Sequence, residues 1–167
     1  MTYRQRFRQR PELVFRYFQR KEYLVQQLDN EDREMMSIVS SDDDELLQTG
    51  AEVMLRFEEN DADTTMYVTK VEVIPNRSIS YRLRFGSMID TDDGEDYGED
   101  YRKLMGKGLT YLLELRAEGT DVEVTETMNP VDAPWYSRVV WTSVFFREWL
   151  KMRRDRRRIR EEVETMI

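Results

Sequence analysis

The chain has 167 residues and no Cys or His, and carries a net charge of -8 with 36% charged residues. A length of this order fits one domain that buries roughly 70% of its unfolded surface, so a core without covalent staples is expected. The missing residue types remove disulfides, thiolate chemistry, the commonest zinc ligand and the commonest general base. The acidic total argues against nucleic acid as the main partner, because phosphate neutralisation needs clustered Lys and Arg.

The cations are mostly Arg, with Lys only at Lys21, Lys70, Lys103, Lys107 and Lys151. Met1-Thr2-Tyr3-Arg4 leads into no apolar stretch, so no signal peptide is expected at this end. The sequence contains no apolar run long enough to span a bilayer, and the expected location is the cytoplasm.

Residues 2–9 alternate: Tyr3, Gln5, Phe7 and Gln9 point one way, and Arg4, Arg6, Arg8 and Arg10 the other, as in a strand with one wet face. Pro11 suits the first turn of a helix that carries Leu13, Val14, Tyr17 and Phe18 at helical spacing. A weaker helical pattern runs from Lys21 to Leu28, with a stop expected at Asp29-Asn30. A second strand is predicted over Arg33 to Ser41, followed by the solvated turn Ser41-Asp42-Asp43-Asp44.

After Gly50 comes a strand with Ala51, Val53, Leu55 and Phe57 on one face. Asn60-Asp61-Ala62-Asp63 reads as a hairpin turn. Thr65 to Ile74 is a fourth strand, closed by Pro75-Asn76. Ile79, Tyr81, Leu83 and Phe85 alternate in a fifth. The segment from Ser87 to Lys103, dense in Asp, Glu and Gly, reads as a solvated loop that could act as a lid. It does not make a calcium loop: an EF-type loop needs Gly at its sixth position, and counting from Asp90, Gly94 is fifth. Leu109, Tyr111, Leu113 and Leu115 mark the sixth strand. Val122 to Met128 is the seventh, stopped by Asn129-Pro130.

The longest helix is predicted last, with Asp132 as N-cap and Pro134 in the first turn. At about 100° per residue, Trp135, Val139, Thr142, Phe146, Trp149 and Leu150 gather on one face, which is expected to be the buried one. Val140, Trp141 and Val144 fall off that face, which suggests either cover from neighbouring elements or a second contact with a dimer mate or membrane surface. Arg153-Arg154-Asp155-Arg156-Arg157-Arg158 and the acids Glu161, Glu162 and Glu164 read as a charged helical extension over 153–167, laced with ion pairs; contact with anionic lipid or a partner is the alternative. No repeat or linker divides the chain, so 1–167 is expected to be one domain.

The order is strand, two short helices, six strands and a long helix. The stretch Phe7-Arg8-Gln9-Arg10-Pro11-Glu12-Leu13-Val14-Phe15-Arg16-Tyr17-Phe18 opens with a strand, a short polar link and an apolar helix. In both respects the chain resembles the START/Bet v1-like (SRPBCC) helix-grip superfamily, which includes polyketide cyclases, coenzyme-Q-binding proteins and lipid-transfer domains. The resemblance implies an α+β fold: a curved, seven-stranded antiparallel sheet wrapped around the last helix, with a cavity between them. It also implies that the first strand lies beside the seventh, where Glu123 faces the arginine stripe.

On that frame, the alternating patterns nominate the wall of a ligand site. Its members are Phe57, Tyr67, Thr69, Tyr81, Leu83, Tyr111, Leu113, Glu126 and Met128 from the sheet, and Trp135, Val139, Thr142 and Phe146 from the helix. Apolar rows with a few converging hydroxyls and one carboxyl describe a pocket for a small hydrophobic or amphipathic molecule: a lipid, a quinone or a polyketide-like compound. A buried Glu126 is expected to titrate above the usual carboxylate range. The alternatives are a cyclase or dehydratase using Glu126 and a tyrosine, and a protein-interaction module, with a homodimer included, whose cavity has collapsed. Nothing in the pattern implies a metal or cofactor.

Overall fold

The computed structural model describes residues 1–28 and 33–167. The elements in chain order are β1 (Thr2–Phe7), α1 (Pro11–Gln19), α2 (Lys21–Leu28), β2 (Arg33–Ser40), β3 (Val53–Glu59), β4 (Ala62–Ile74), β5 (Ser78–Asp90), α3 (Gly98–Met105), β6 (Gly108–Glu118), β7 (Asp121–Val131) and α4 (Arg138–Glu164). The strands form one antiparallel sheet in the order β1-β7-β6-β5-β4-β3-β2. The sheet is open and curved, and α4 lies across its concave face, as the resemblance implied. The helix stop expected at Asp29-Asn30 lies outside the described residues.

The period-two patterns translate into faces with few exceptions. In β1, Tyr3, Gln5 and Phe7 are buried while Thr2, Arg4 and Arg6 are exposed. Arg6 reaches across to Glu123 on β7 at 3.2 Å, the cross-strand pairing expected of the arginine stripe. The β3–β4 hairpin turns on Asn60 and Asp61, both at positive φ (50° and 60°). This two-residue turn has the twist that right-handed strands require, and Asn and Asp tolerate it better than other side-chain-bearing residues.

α1 begins at Pro11 and buries Val14, Phe15, Tyr17 and Phe18; Leu13 is only half-buried. The aromatic rings of α1 and α2 pack edge-on, with Phe18 and Tyr23 centroids 4.8 Å apart.

Several expectations need correction. The acidic segment 87–103 is not one loop. β5 continues to Asp90, and α3 occupies Gly98–Met105. Most of the segment's acids are exposed, as expected, but some also bind backbone N–H groups. Asp90 accepts from the amides of Asp92 and Asp93 at 2.8 and 3.2 Å, and Asp96 accepts from those of Met88 and Gly98 at 3.0 and 2.8 Å. α3 then docks so closely on β5 that a Cβ on Gly98 would sit 2.6 Å from the Gly86 carbonyl oxygen. Only glycine allows that approach.

β7 does not stop at Asn129-Pro130 but runs to Val131. Its pairing with β1 covers Val122–Thr127, so Pro130 falls beyond β1, where a missing N–H costs no ladder bond. Asp132 does not cap the last helix. It sits at positive φ and pairs with Lys107 at 2.9 Å, while a single 3₁₀ turn (Trp135–Ser137) leads into α4. Two further corrections, the face α4 buries and the face of β4 that carries Tyr67 and Thr69, belong with the site below.

Candidate functional site

α4 has 27 residues and is therefore about 40 Å long. The side it turns to the sheet carries Trp141, Val144, Phe145, Glu148, Met152, Ile159 and Val163. Their recurrence at intervals of three and four residues is a helical stripe. Directional bonds hold this side in place. The Trp141 indole N–H donates to the Met105 carbonyl at the end of α3 at 2.9 Å. Lys151 donates to the carbonyls of Gln26 and Gln27 at 2.9 and 3.0 Å, supplying a cation and donors to the C-terminal turn of α2. Farther along, Tyr17 donates to Glu162 at 2.8 Å and Gln9 to the Met166 carbonyl at 2.9 Å.

Between α4 and the sheet is a cavity of about 120 Å³. β5 supplies Tyr81, Leu83 and Phe85 to its wall. β6 supplies Leu109 and Tyr111, and β4 and β7 add Met66 and Met128. α2 closes it with Tyr23, Leu24 and Gln27, and α3 with Tyr101 and Met105. Aromatic faces dominate: Phe85 and Trp141 stack at 6.3 Å, and Tyr81 and Tyr111 at 4.5 Å. Toward α4 the wall becomes charged, through Glu148, Lys151, Asp155 and Arg158.

The polar groups of the sheet side form one connected cluster. Glu126 on β7 is buried, and a single carboxylate oxygen, Oε2, accepts three hydrogen bonds: from Tyr111 at 2.7 Å, Gln27 at 2.9 Å and Tyr23 at 3.0 Å. Tyr81 donates to Gln27 Oε1 at 3.0 Å. Burial pushes the Glu126 carboxyl above its ordinary range, while the bonds from Tyr111, Tyr23 and Gln27 pull the other way by favouring the charged form. Burial, reinforced by the nearby Glu126, drives the hydroxyls of Tyr23, Tyr81 and Tyr111 well above the usual tyrosine value.

The expected site residues separate into four groups. Tyr81, Leu83, Tyr111 and Met128 line the cavity. Glu126 lies one layer behind the wall and touches it through tyrosines and Gln27. Phe57 and Leu113 face inward but are fully buried in the core away from the cavity.

The fourth group faces away. Tyr67 and Thr69 lie on the opposite side of β4, where Thr64, Met66 and Val68 are buried instead. The cause is a β-bulge: Lys70 adopts a positive φ of 54° and the β4–β5 register shifts between Thr69 and Glu72, so Val68 and Val71 both point inward. Reading the strand backwards from Val71 with an unbroken period of two therefore places Tyr67 and Thr69 on the wrong face. Trp135, Val139, Thr142 and Phe146 are exposed, Trp135 at 80% and Phe146 at 59%. Trp141, expected off the buried face, is 4% exposed.

Tyr23 and Gln27 on α2, Tyr101 and Met105 on α3, and Trp141, Phe145 and Lys151 on α4 were not anticipated as wall residues. A signal for α4 was present. The expected stripe, continued past Met152, meets Arg153, Arg157, Arg160 and Glu164, whereas the observed stripe meets Ile159 and Val163. Nothing comparable announced α3.

No family model and no curated protein matches the chain by sequence. Solved structures do. A protein from Staphylococcus epidermidis, solved by NMR in solution, aligns with a TM-score of 0.61 and 13% identity over 97% of this chain and 89% of that one. Ara h 8.0201 aligns at 0.57 with 14% identity over 99% of each chain. Ginseng major latex-like protein 151 from Panax ginseng aligns at 0.52 with 10% identity over 93% and 92%. The fold is the START/Bet v1-like helix grip. At these identities the likeness establishes architecture. The chemistry of this helix grip has to come from its own side chains.

Among the described residues no cluster of acidic side chains has metal-binding geometry, and no helix is long and apolar enough to cross a membrane.

Proposed function

We propose that the protein binds a small hydrophobic or amphipathic molecule in the cavity between the sheet and α4. The observation that carries this reading is the cavity wall: aromatic and aliphatic surface with a converging hydroxyl and amide cluster on the sheet side and a few charged groups toward α4, the composition of a ligand pocket rather than of a filled core. The size narrows the choice. A cavity of about 120 Å³ compares with the roughly 150 Å³ that holds a benzene ring, and lies below the usual few hundred Å³ of larger ligand sites. A single ring fits the structure as it stands. A lipid chain, a quinone with its tail or a polyketide exceeds that volume.

The cyclase or dehydratase reading has less support. A general acid or base must reach the substrate, and Glu126 is separated from the cavity by the hydroxyls it binds. The interaction-module reading draws on a different feature, the apolar outer face of α4, where Val139 is 75% exposed and Leu150 is 45% exposed.

Native mass spectrometry of the purified protein, followed by organic extraction, tests the binding reading. A co-purifying compound, released on denaturation, is the expected result. A clean protein mass together with no chemical-shift or thermal-shift response to a panel of small aromatics and lipids would remove the ligand-binding reading.

A further inference from the structure

We infer that the polar side of the cavity acts as an acceptor wall, selecting a single-ring ligand that donates a hydrogen bond, such as a phenol, over a ring of similar size whose polar atom only accepts. This deepens the ligand-binding reading above and rests on it. The argument is a count of hydrogens. Each tyrosine hydroxyl has one proton and two lone pairs. The protons of Tyr23 and Tyr111 point at Glu126 Oε2, and that of Tyr81 at Gln27 Oε1. One amide hydrogen of Gln27 is also directed at Glu126. All four of these side chains line the cavity. Toward a ligand they present three phenolic oxygens with lone pairs, against the second N–H of Gln27 as their one remaining donor hydrogen.

Glu126 sets this polarity. Its Oε2 accepts all three bonds made to it, so every group around that oxygen turns a hydrogen toward it. Gln27 follows: its NH₂ must face Glu126, which leaves its carbonyl oxygen for Tyr81. The direction of the whole chain, Tyr81 to Gln27 to Glu126, is thus imposed from behind the wall by a residue that does not touch the ligand. Glu126 is a positioning residue, and its effect is to keep the tyrosine protons turned away from the cavity. A ligand hydroxyl meets oxygens it can bind. An ether or carbonyl meets lone pairs and leaves them desolvated.

The test uses the full chain and three rings of similar size: phenol, which donates; anisole, which only accepts; and toluene, which does neither. Binding is read from amide and Trp141 indole shifts in two-dimensional NMR titrations. Phenol is expected to bind about tenfold more tightly than either of the others, a ratio in keeping with one well-placed hydrogen bond in a buried site. Equal affinities, or a preference for anisole, would overturn the acceptor wall while leaving the cavity reading intact. No response to any of the three would remove both.

Glu126→Gln supplies a side chain that can donate as well as accept and so frees tyrosine protons; it is expected to shrink the phenol preference by strengthening anisole. An unchanged ratio would count against the positioning role. Should that variant fail to give a folded spectrum, Tyr81→Phe removes one acceptor while leaving all three bonds to Glu126 in place. It is expected to weaken phenol selectively, and equal loss for all three rings would contradict the inference.

Discussion

On one side of α4, Trp141, Met152, Ile159 and Val163 are buried against the sheet and its covering helices; on the other, Val139, Phe146 and Leu150 stand between 45% and 75% exposed. Both sides carry a tryptophan and several large aliphatic or aromatic groups, and over residues 135–150 neither is clearly the more apolar. They differ in continuity and in anchorage. The buried stripe, though interrupted by Glu148 and Asp155, returns to apolar residues at Ile159 and Val163 and is held by the Trp141 bond to Met105 and the Lys151 bonds to α2. The exposed stripe gives way to arginines, with Arg153 lying over the Trp149 ring at 5.3 Å and Arg157 paired to Glu161 at 2.9 Å. Over a helix of this length, the face that can bury its whole length gains more than the face that offers one rich half, because burial accumulates with area.

The largest effect expected from this contrast is at its buried end. Trp141→Ala should destabilise the fold by about 3–5 kcal/mol, measured by chemical denaturation, since it empties a tryptophan-sized space and orphans the Met105 carbonyl. A loss below about 1 kcal/mol would mean that α4 is not anchored there.

Gly98→Ala tests the support under that anchor. The added Cβ meets the Gly86 carbonyl at 2.6 Å, so α3 must shift and carry Met105 with it. About 1–3 kcal/mol of destabilisation is expected, with the Trp141 indole resonance displaced. An unmoved indole signal would uncouple α3 from α4.

The contrast between buried and exposed groups extends to carboxyls, where it appears as a pH slope. Glu126 is raised above its unfolded value by burial. Its contribution is therefore fully present below the ordinary carboxylate range and is lost as pH rises through its folded value. Asp96 is lowered by the Met88 and Gly98 amides, so its contribution is present above the unfolded value and lost as pH falls through the folded one. Thermal midpoints recorded between about pH 3 and 8 should fall less steeply on the alkaline side in Glu126→Gln than in the native protein. An identical alkaline limb in both would place Glu126 outside the pH response.

The smallest effect belongs to the outer face. Phe146→Ser should change stability by less than about 0.5 kcal/mol and leave the cavity resonances in place, because the ring contacts solvent and Trp149. A loss above about 2 kcal/mol would show that this face is covered in solution, and would strengthen the interaction-module reading.

Wherever the backbone keeps a regular period, the strands and their faces could be read in advance. The inward rows of Val53, Leu55 and Phe57, of Ile79, Tyr81, Leu83 and Phe85, and of Val122, Val124 and Glu126 all lie as their alternation demands. Tyr67 and Thr69 were misplaced because one residue at positive φ, Lys70, breaks that period without any Gly or Pro to mark it. α3 is hidden for a different reason: Asp90, Asp93 and Asp96 satisfy backbone amides locally and so order an exposed segment that composition alone reads as loop.

The site was legible in half. Tyr81, Leu83, Tyr111 and Met128 follow from strand phase. Tyr23 and Gln27 do not, because their approach to Glu126 spans about a hundred residues of sequence.

What the sequence by itself determined was the order of elements, the hairpin turns, the phase of the regular strands and the presence of one carboxyl among tyrosines. These depend on near-neighbour sterics and on a period set by the backbone, which the chain carries locally. Only the tertiary structure decided which face of α4 is buried, where Lys70 bends β4, how α3 seats on Gly86, and that Glu126 stands behind the wall of the cavity rather than in it. Each of those outcomes is a competition between surfaces and donors far apart in the chain, and its winner depends on total buried area and on bonds that form only after the elements have met.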